Sequence, residues 1–109
     1  INNWYTVYTL TKVKGIDFYA ILQPTLYSSI SNTEYLPSSV FKKRDEANIL
    51  YDVIREKIKA SCNYDAKFCK RLIDGSKWIN TDRAIFFDIA HKSEIGNSIV
   101  AKKIFKFID

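Results

Sequence analysis

The chain reads as an α/β protein built around a parallel sheet, and the pattern of its apolar residues carries that reading. A helical pattern closes at Gly15 and gives way to a short aromatic and β-branched run. A second amphipathic helix occupies the middle, and an apolar run near residue 85 passes through a turn into a last helix. Helix, glycine and buried strand make half of a βαβ unit, whose crossover brings consecutive strands into parallel register.

Trp4, Val7, Tyr8 and Leu10 recur at near-helical spacing behind Asn3, which can cap them, so a helix is predicted over about residues 3 to 14. Gly15 fits the left-handed position that closes it. Ile16-Asp17-Phe18-Tyr19-Ala20-Ile21-Leu22-Gln23 is too short for another helix and is stopped by Pro24, so it is read as a strand buried on both faces. Residues 25 to 39 hold five serines with Asn32, Thr33 and Pro37, the composition of a long loop. At the carboxyl end of a parallel strand such a loop is a candidate pocket wall, with Leu26, Tyr27, Tyr35 and Leu36 left to pack or to contact a ligand.

Ala47, Leu50, Tyr51, Ile54 and Ile58 mark one face of the middle helix, with Asp45 or Ser39 as caps. Between Asn63 and Thr81 the signal is mixed, and a short strand or turn is read near Arg71 to Ile73. Val100, Ala101, Ile104, Phe105 and Ile108 are expected to form the buried face of the last helix.

Composition narrows the function classes. Hydrophobic residues make up 47% and charged residues 27% of 109 residues, which argues for a folded chain that is a single domain or half of one. The net charge of +5 would suit an anionic partner, but the lysines are dispersed apart from Lys42-Lys43-Arg44 and Lys102-Lys103, and no nucleic-acid motif accompanies them. No apolar stretch approaches the roughly 20 residues of a membrane span, and no signal-peptide pattern opens the chain. The chain has no methionine and starts at Ile1, so it is expected to be a processed product or a piece of something longer.

Cys62 and Cys69 are the only cysteines, at a spacing that suits no zinc site, and neither metal nor cofactor is expected. A turn at Asn63-Tyr64-Asp65 would let them pair; otherwise they are two independent buried thiols. A disulfide would favour an oxidising, extracytoplasmic setting.

The only histidine is His91, three residues after Asp88. A buried carboxylate accepting the imidazole N–H fixes the tautomer and stabilises the imidazolium formed when the other nitrogen takes a proton. In a turn the two side chains could converge, with Asp88 orienting and His91 acting as base.

The block from Phe86 to Ile104 carries Asp88-Ile89-Ala90-His91, then Gly96-Asn97, then Ile99-Val100-Ala101-Lys102-Lys103-Ile104. It resembles the last conserved block of the SGNH (GDSL-type) hydrolases. The segment Gly15 to Tyr27, an apolar strand ending in Gln23-Pro24, similarly resembles a late sheet strand of that family. Together the two blocks and the helix between them imply the C-terminal portion of a three-layer α/β/α fold with a parallel sheet.

By that resemblance Asp88 and His91 are the acid and base of a Ser-His-Asp triad in an esterase, acetylhydrolase or O-acyltransferase. Gln23 and Tyr27 would border the substrate, an ester such as an acylated carbohydrate, and Gly96-Asn97 would turn the backbone into the final helix. The family's Gly-Asp-Ser nucleophile block is absent: Asp74-Gly75-Ser76 has those letters in the wrong order and place. With Gly15, Gly75 and Gly96 the only glycines, no Gly-x-Ser-x-Gly elbow can be written. The serine is therefore expected outside this chain, in an N-terminal half or companion chain, and the isolated chain is expected to be inactive and prone to associate, with itself or a partner. The alternatives are a non-catalytic basic α/β binding module, in which Lys42, Lys43, Arg44, Lys102, Lys103 and Lys106 meet an anionic surface, and a degenerate hydrolase fold.

Overall fold

The computed structural model describes residues 1–108 and is a mixed helix and strand structure with small parallel sheets. The chain order is α1 (Asn2–Val13), β1 (Ala20–Leu22), β2 (Ile30–Asn32), α2 (Arg44–Tyr64), α3 (Ala66–Cys69), β3 (Leu72–Asp74), β4 (Asn80–Ala84) and α4 (Glu94–Phe105), with a 3₁₀ turn at Ser38–Phe41. The contacts divide it into two compact units, one of residues 1–22 and 49–74, the other of residues 23–48 together with the described residues from Gly75 onward.

In the first unit β1 and β3 run parallel, Ala20 opposite Leu72 and Leu22 opposite Asp74. Tyr8, Ala20, Phe68 and Leu72 form its buried cluster, with Ile1, Trp4, Phe18 and Ile58 packed around it. α1 runs where the spacing placed it, and Gly15 takes φ 67°, a conformation that costs an L side chain energy. The cap differs: Ile1 is the N-cap residue, and Asn3 lies inside the helix. The strand expected over residues 16–23 shrinks to Ala20–Leu22, because its partner β3 supplies backbone groups over three residues only.

Cys62 and Cys69 form a disulfide, with their Cα atoms 4.9 Å apart. The turn that permits it is the break between α2 and α3, where Asp65 caps α3 by accepting from the N–H groups of Lys67 (3.0 Å) and Phe68 (2.9 Å). Phe68 is thereby aimed into the cluster, where its ring meets those of Tyr5 and Tyr8 at centroid distances of 5.0 and 5.2 Å.

In the second unit β2 and β4 run parallel, Ile30 opposite Asn80 and Asn32 opposite Ala84, with an irregularity between. The serine-rich segment read as a loop thus contains a strand. Ser31 and Asn32 have poor strand preference, and the pairing with β4, distant in sequence, overrides it. Leu26, Tyr27, Ile79, Ile85 and Phe86 form the buried cluster, and Ile99 and Val100 of α4 pack against it.

Two expected faces are corrected. In α2, Ala47 and Ile58 pack against the clusters of their own units, but Leu50 is exposed. Asp45 lies within the first turn of α2 and Ser39 in the 3₁₀ turn, so neither is its cap. In α4, Ala101 and Ile108 are exposed and Phe105 is 80% exposed, because only the first half of the helix lies on the cluster. No helix among the described residues is long and apolar enough to cross a membrane.

Candidate functional site

The chain leaves β4 through two residues fully inside the second unit, Ile85 and Phe86, and then makes a tight excursion over 87–91. Phe86 and Lys92 form an antiparallel bridge, the Phe87 N–H donates to the His91 carbonyl (2.9 Å), and the Ser93 N–H donates to the Ile85 carbonyl (2.7 Å). These bonds close the neck of the excursion and hold Asp88 and His91 at its tip.

Asp88 organises that tip. Its Oδ1 accepts from the N–H groups of His91 (2.8 Å) and Ala90 (2.9 Å), and its Oδ2 lies 2.7 Å from Nδ1 of His91. The backbone N–H of His91, that of Ala90 and the ring together hold the Asp88 carboxyl below its ordinary 3.8, at about 2. At neutral pH it is therefore ionised and only an acceptor, so Nδ1 must be the donor. The neutral ring then carries its free lone pair on Nε2, which has no hydrogen-bond partner among the described residues. Because the carboxyl is depressed in the folded chain, its contribution to this turn is present above pH 3.8 and is lost as pH falls toward about 2.

The pair is open to water. The His91 side chain is 80% exposed and that of Asp88 53%, so the carboxylate is not the buried one that the triad reading assumes. Solvent weakens its hold on an imidazolium, and a covering element would strengthen it.

The loop after Gln23 lies against this excursion. The Leu26 N–H donates to the Ile89 carbonyl (2.9 Å), and the Lys92 ammonium donates to the carbonyls of Ala90 (3.0 Å) and Pro24 (3.4 Å). Lys92 sits above the Phe86 ring, and partial burial lowers its pKa from the usual lysine value. The two sequence blocks are thereby stitched together, a role for Lys92 that the sequence did not signal. Gln23 is exposed. Tyr27 is corrected from substrate wall to core: its ring is buried and its hydroxyl donates to the Val40 carbonyl. Tyr35 donates to the Phe86 carbonyl and so also braces the base of the excursion.

Gly96 has a different role from the one read in sequence. It lies inside the first turn of α4, with no positive φ, and a Cβ there would meet Ile85 Cγ2 at 2.6 Å and Lys92 Cβ at 3.0 Å. Its missing side chain lets α4 approach the neck of the excursion. Ser93 caps the helix by accepting from the Gly96 N–H, and Asn97 donates to the Lys92 carbonyl (3.4 Å). Ile85 is 1% exposed and cannot yield, so Gly96→Ala is expected to cost about 1–3 kcal/mol, read by denaturant unfolding. It should also disturb the His91 environment, visible as a shifted imidazole resonance; unchanged stability would mean the approach is not close.

A cavity of about 360 Å³ lies in the same unit, lined by Leu26, Ser29, Ser31, Thr33, Phe41 and Arg44 among others. The hydroxyl oxygens of Ser29 and Ser31 are buried without a hydrogen-bond partner. A buried unpaired hydroxyl is a cost, so the double substitution of Ser29 and Ser31 by Ala is expected to leave stability unchanged or raise it by about 1 kcal/mol. A loss of similar size in thermal unfolding would show that the hydroxyls are satisfied.

Among the described residues no serine, threonine or cysteine side chain bonds to His91, and both cysteines are in the disulfide. No cluster of three or more His, Cys, Asp or Glu among them could hold a metal ion. Lys102 and Lys103 occupy the last turn of α4, where cations stabilise the helix's negative end. No protein-family model matches this chain, and neither a curated protein nor a solved structure is significantly similar to it.

Proposed function

We propose that the chain supplies the acid and base of a serine ester hydrolase or O-acyltransferase of SGNH type, with the nucleophile contributed from outside these residues. The observation that carries the reading is the Asp88–His91 pair, an ionised carboxylate on Nδ1 with Nε2 left open. In this reading a serine hydroxyl hydrogen-bonded to Nε2 gives up its proton to His91 as its oxygen attacks the ester carbonyl. The resulting imidazolium returns that proton to the departing alkoxide, leaving an acyl-enzyme that water or another hydroxyl resolves. The bonds joining Leu26 to Ile89 and Lys92 to Pro24 support it, because they place the Gln-Pro block beside the Asp-x-x-His block. The cavity with unpaired serine hydroxyls would suit a hydroxyl-rich acyl carrier such as a carbohydrate.

The finer architecture, a three-layer α/β/α fold completed by the nucleophile-bearing segment, belongs to the same proposal. Covering the exposed pair is what that segment would do. The test is an intact mass of the protein as isolated from its source after treatment with a fluorophosphonate, which labels activated serines. An adduct on a chain that contains or accompanies these residues, abolished by His91→Ala, is expected. Absence of any adduct on material that is otherwise folded and complete would overturn the proposal.

A further inference from the structure

The first unit holds a second concave feature, independent of Asp88 and His91. A cavity of about 380 Å³ opens between the end of α1, the Gly15–Phe18 segment and α3, and its charged lining is Lys12, Asp17, Lys67, Lys70 and Arg71. We propose that this cleft binds a small soluble ligand carrying two or more phosphate or sulfate groups.

The charge balance points to an anion. One carboxylate faces four cations, and it is already engaged: Arg71 donates to Asp17 Oδ1 (3.2 Å), while its guanidinium stacks 4.7 Å from the Tyr19 ring centre. The ammonium groups of Lys12, Lys67 and Lys70 have no carboxylate partner among the described residues; Lys12 rests 5.8 Å from the Tyr8 ring centre. Like charges gathered around a concavity repel one another, and a multivalent anion relieves that repulsion in a geometry where field lines are focused.

The lysines are also held in place. Lys67 and Lys70 lie three residues apart on and beside α3, a helix fixed by the Asp65 cap, the Cys62–Cys69 disulfide and the fully buried Phe68. Across the cleft, Gly15 at φ 67° directs the chain from α1 toward Ile16 and Phe18. Tyr8, Ile16 and Phe18 add an apolar wall that fits the carbon body of a ligand rather than a bare ion. The volume is that of a small-molecule site, which sets the ligand's size and argues against a polymer or a bilayer surface.

The experiment is calorimetric titration of the full chain with tripolyphosphate, alongside sedimentation with phosphatidylserine vesicles. Saturable binding of one equivalent that weakens with added salt is expected. Lys67→Gln with Lys70→Gln should lower the affinity about tenfold or more, whereas Lys102→Gln with Lys103→Gln should leave it unchanged. Asp17→Asn should raise it, by removing the one opposing charge and freeing Arg71. Equal weakening by both lysine pairs would reduce the effect to net charge and overturn the proposal. So would vesicle binding without tripolyphosphate binding, or no saturable binding of either.

Discussion

If the proposed chemistry holds, replacing His91 by alanine in the protein that carries the nucleophile is expected to lower turnover by about four orders of magnitude or more while leaving the melting temperature where it was. The two halves of that expectation have separate causes. The ring is 80% exposed and packs against little, so its removal costs the fold almost nothing. On the proposed chemistry it takes the serine proton, and these residues hold no second imidazole to replace it. Asp88→Asn is the sharper companion. The amide oxygen can still accept from the N–H groups of Ala90 and His91, so the turn survives, but the amide N–H now faces Nδ1. Nδ1 must then accept, the ring proton moves to Nε2, and the base is lost, a change of about four orders of magnitude where a triad operates. Steady-state kinetics with unfolding controls distinguish these cases. Full activity in either variant would remove the pair from the mechanism and return it to the role of a loop staple.

The largest loss of stability is expected from Phe68→Ala, about 3–5 kcal/mol in denaturant unfolding. The side chain has no exposure, and its ring is shared between Tyr5 and Tyr8 while Ala20 and Leu72 complete the cluster. Because α3 has only four residues, it cannot slide to fill the hole: the Asp65 cap at one end and the disulfide at the other fix its backbone. The cavity therefore stays open, which puts the cost toward the upper part of that range. Phe68→Leu, which retains much of the volume, serves as the graded control and should lose distinctly less. A loss below about 1 kcal/mol for the alanine variant would mean the cluster repacks.

Sequence reasoning found the features that depend on neighbours along the chain. The span of α1 follows from the spacing of Trp4, Tyr8 and their neighbours, and the closing role of Gly15 from its need for positive φ. The convergence of Asp88 and His91 is likewise local, because a carboxylate can reach the amides two and three residues ahead without help from the rest of the chain. The turn that allows Cys62 to meet Cys69 was also legible in Asn63-Tyr64-Asp65, although pairing itself was not.

What sequence could not give depends on partners distant along the chain. Ile30-Ser31-Asn32 becomes a strand only because Asn80–Ala84 lies alongside, and no local preference announces it. The same holds for the burial of Tyr27, whose hydroxyl donates to the Val40 carbonyl rather than facing a ligand, and for Phe105, apolar yet exposed beyond the reach of its cluster. Gly96 shows the division within one residue. Its presence after His91 was plain, but its reason, the approach of α4 to Ile85 and Lys92, is a distance between elements. Short-range hydrogen bonds and backbone conformation are encoded by residues a few positions apart, so the sequence by itself determined α1, its glycine stop and the Asp88–His91 turn. Strand partners, buried faces and the cation-lined cleft arise where segments tens of residues apart meet, so only the tertiary structure decided them.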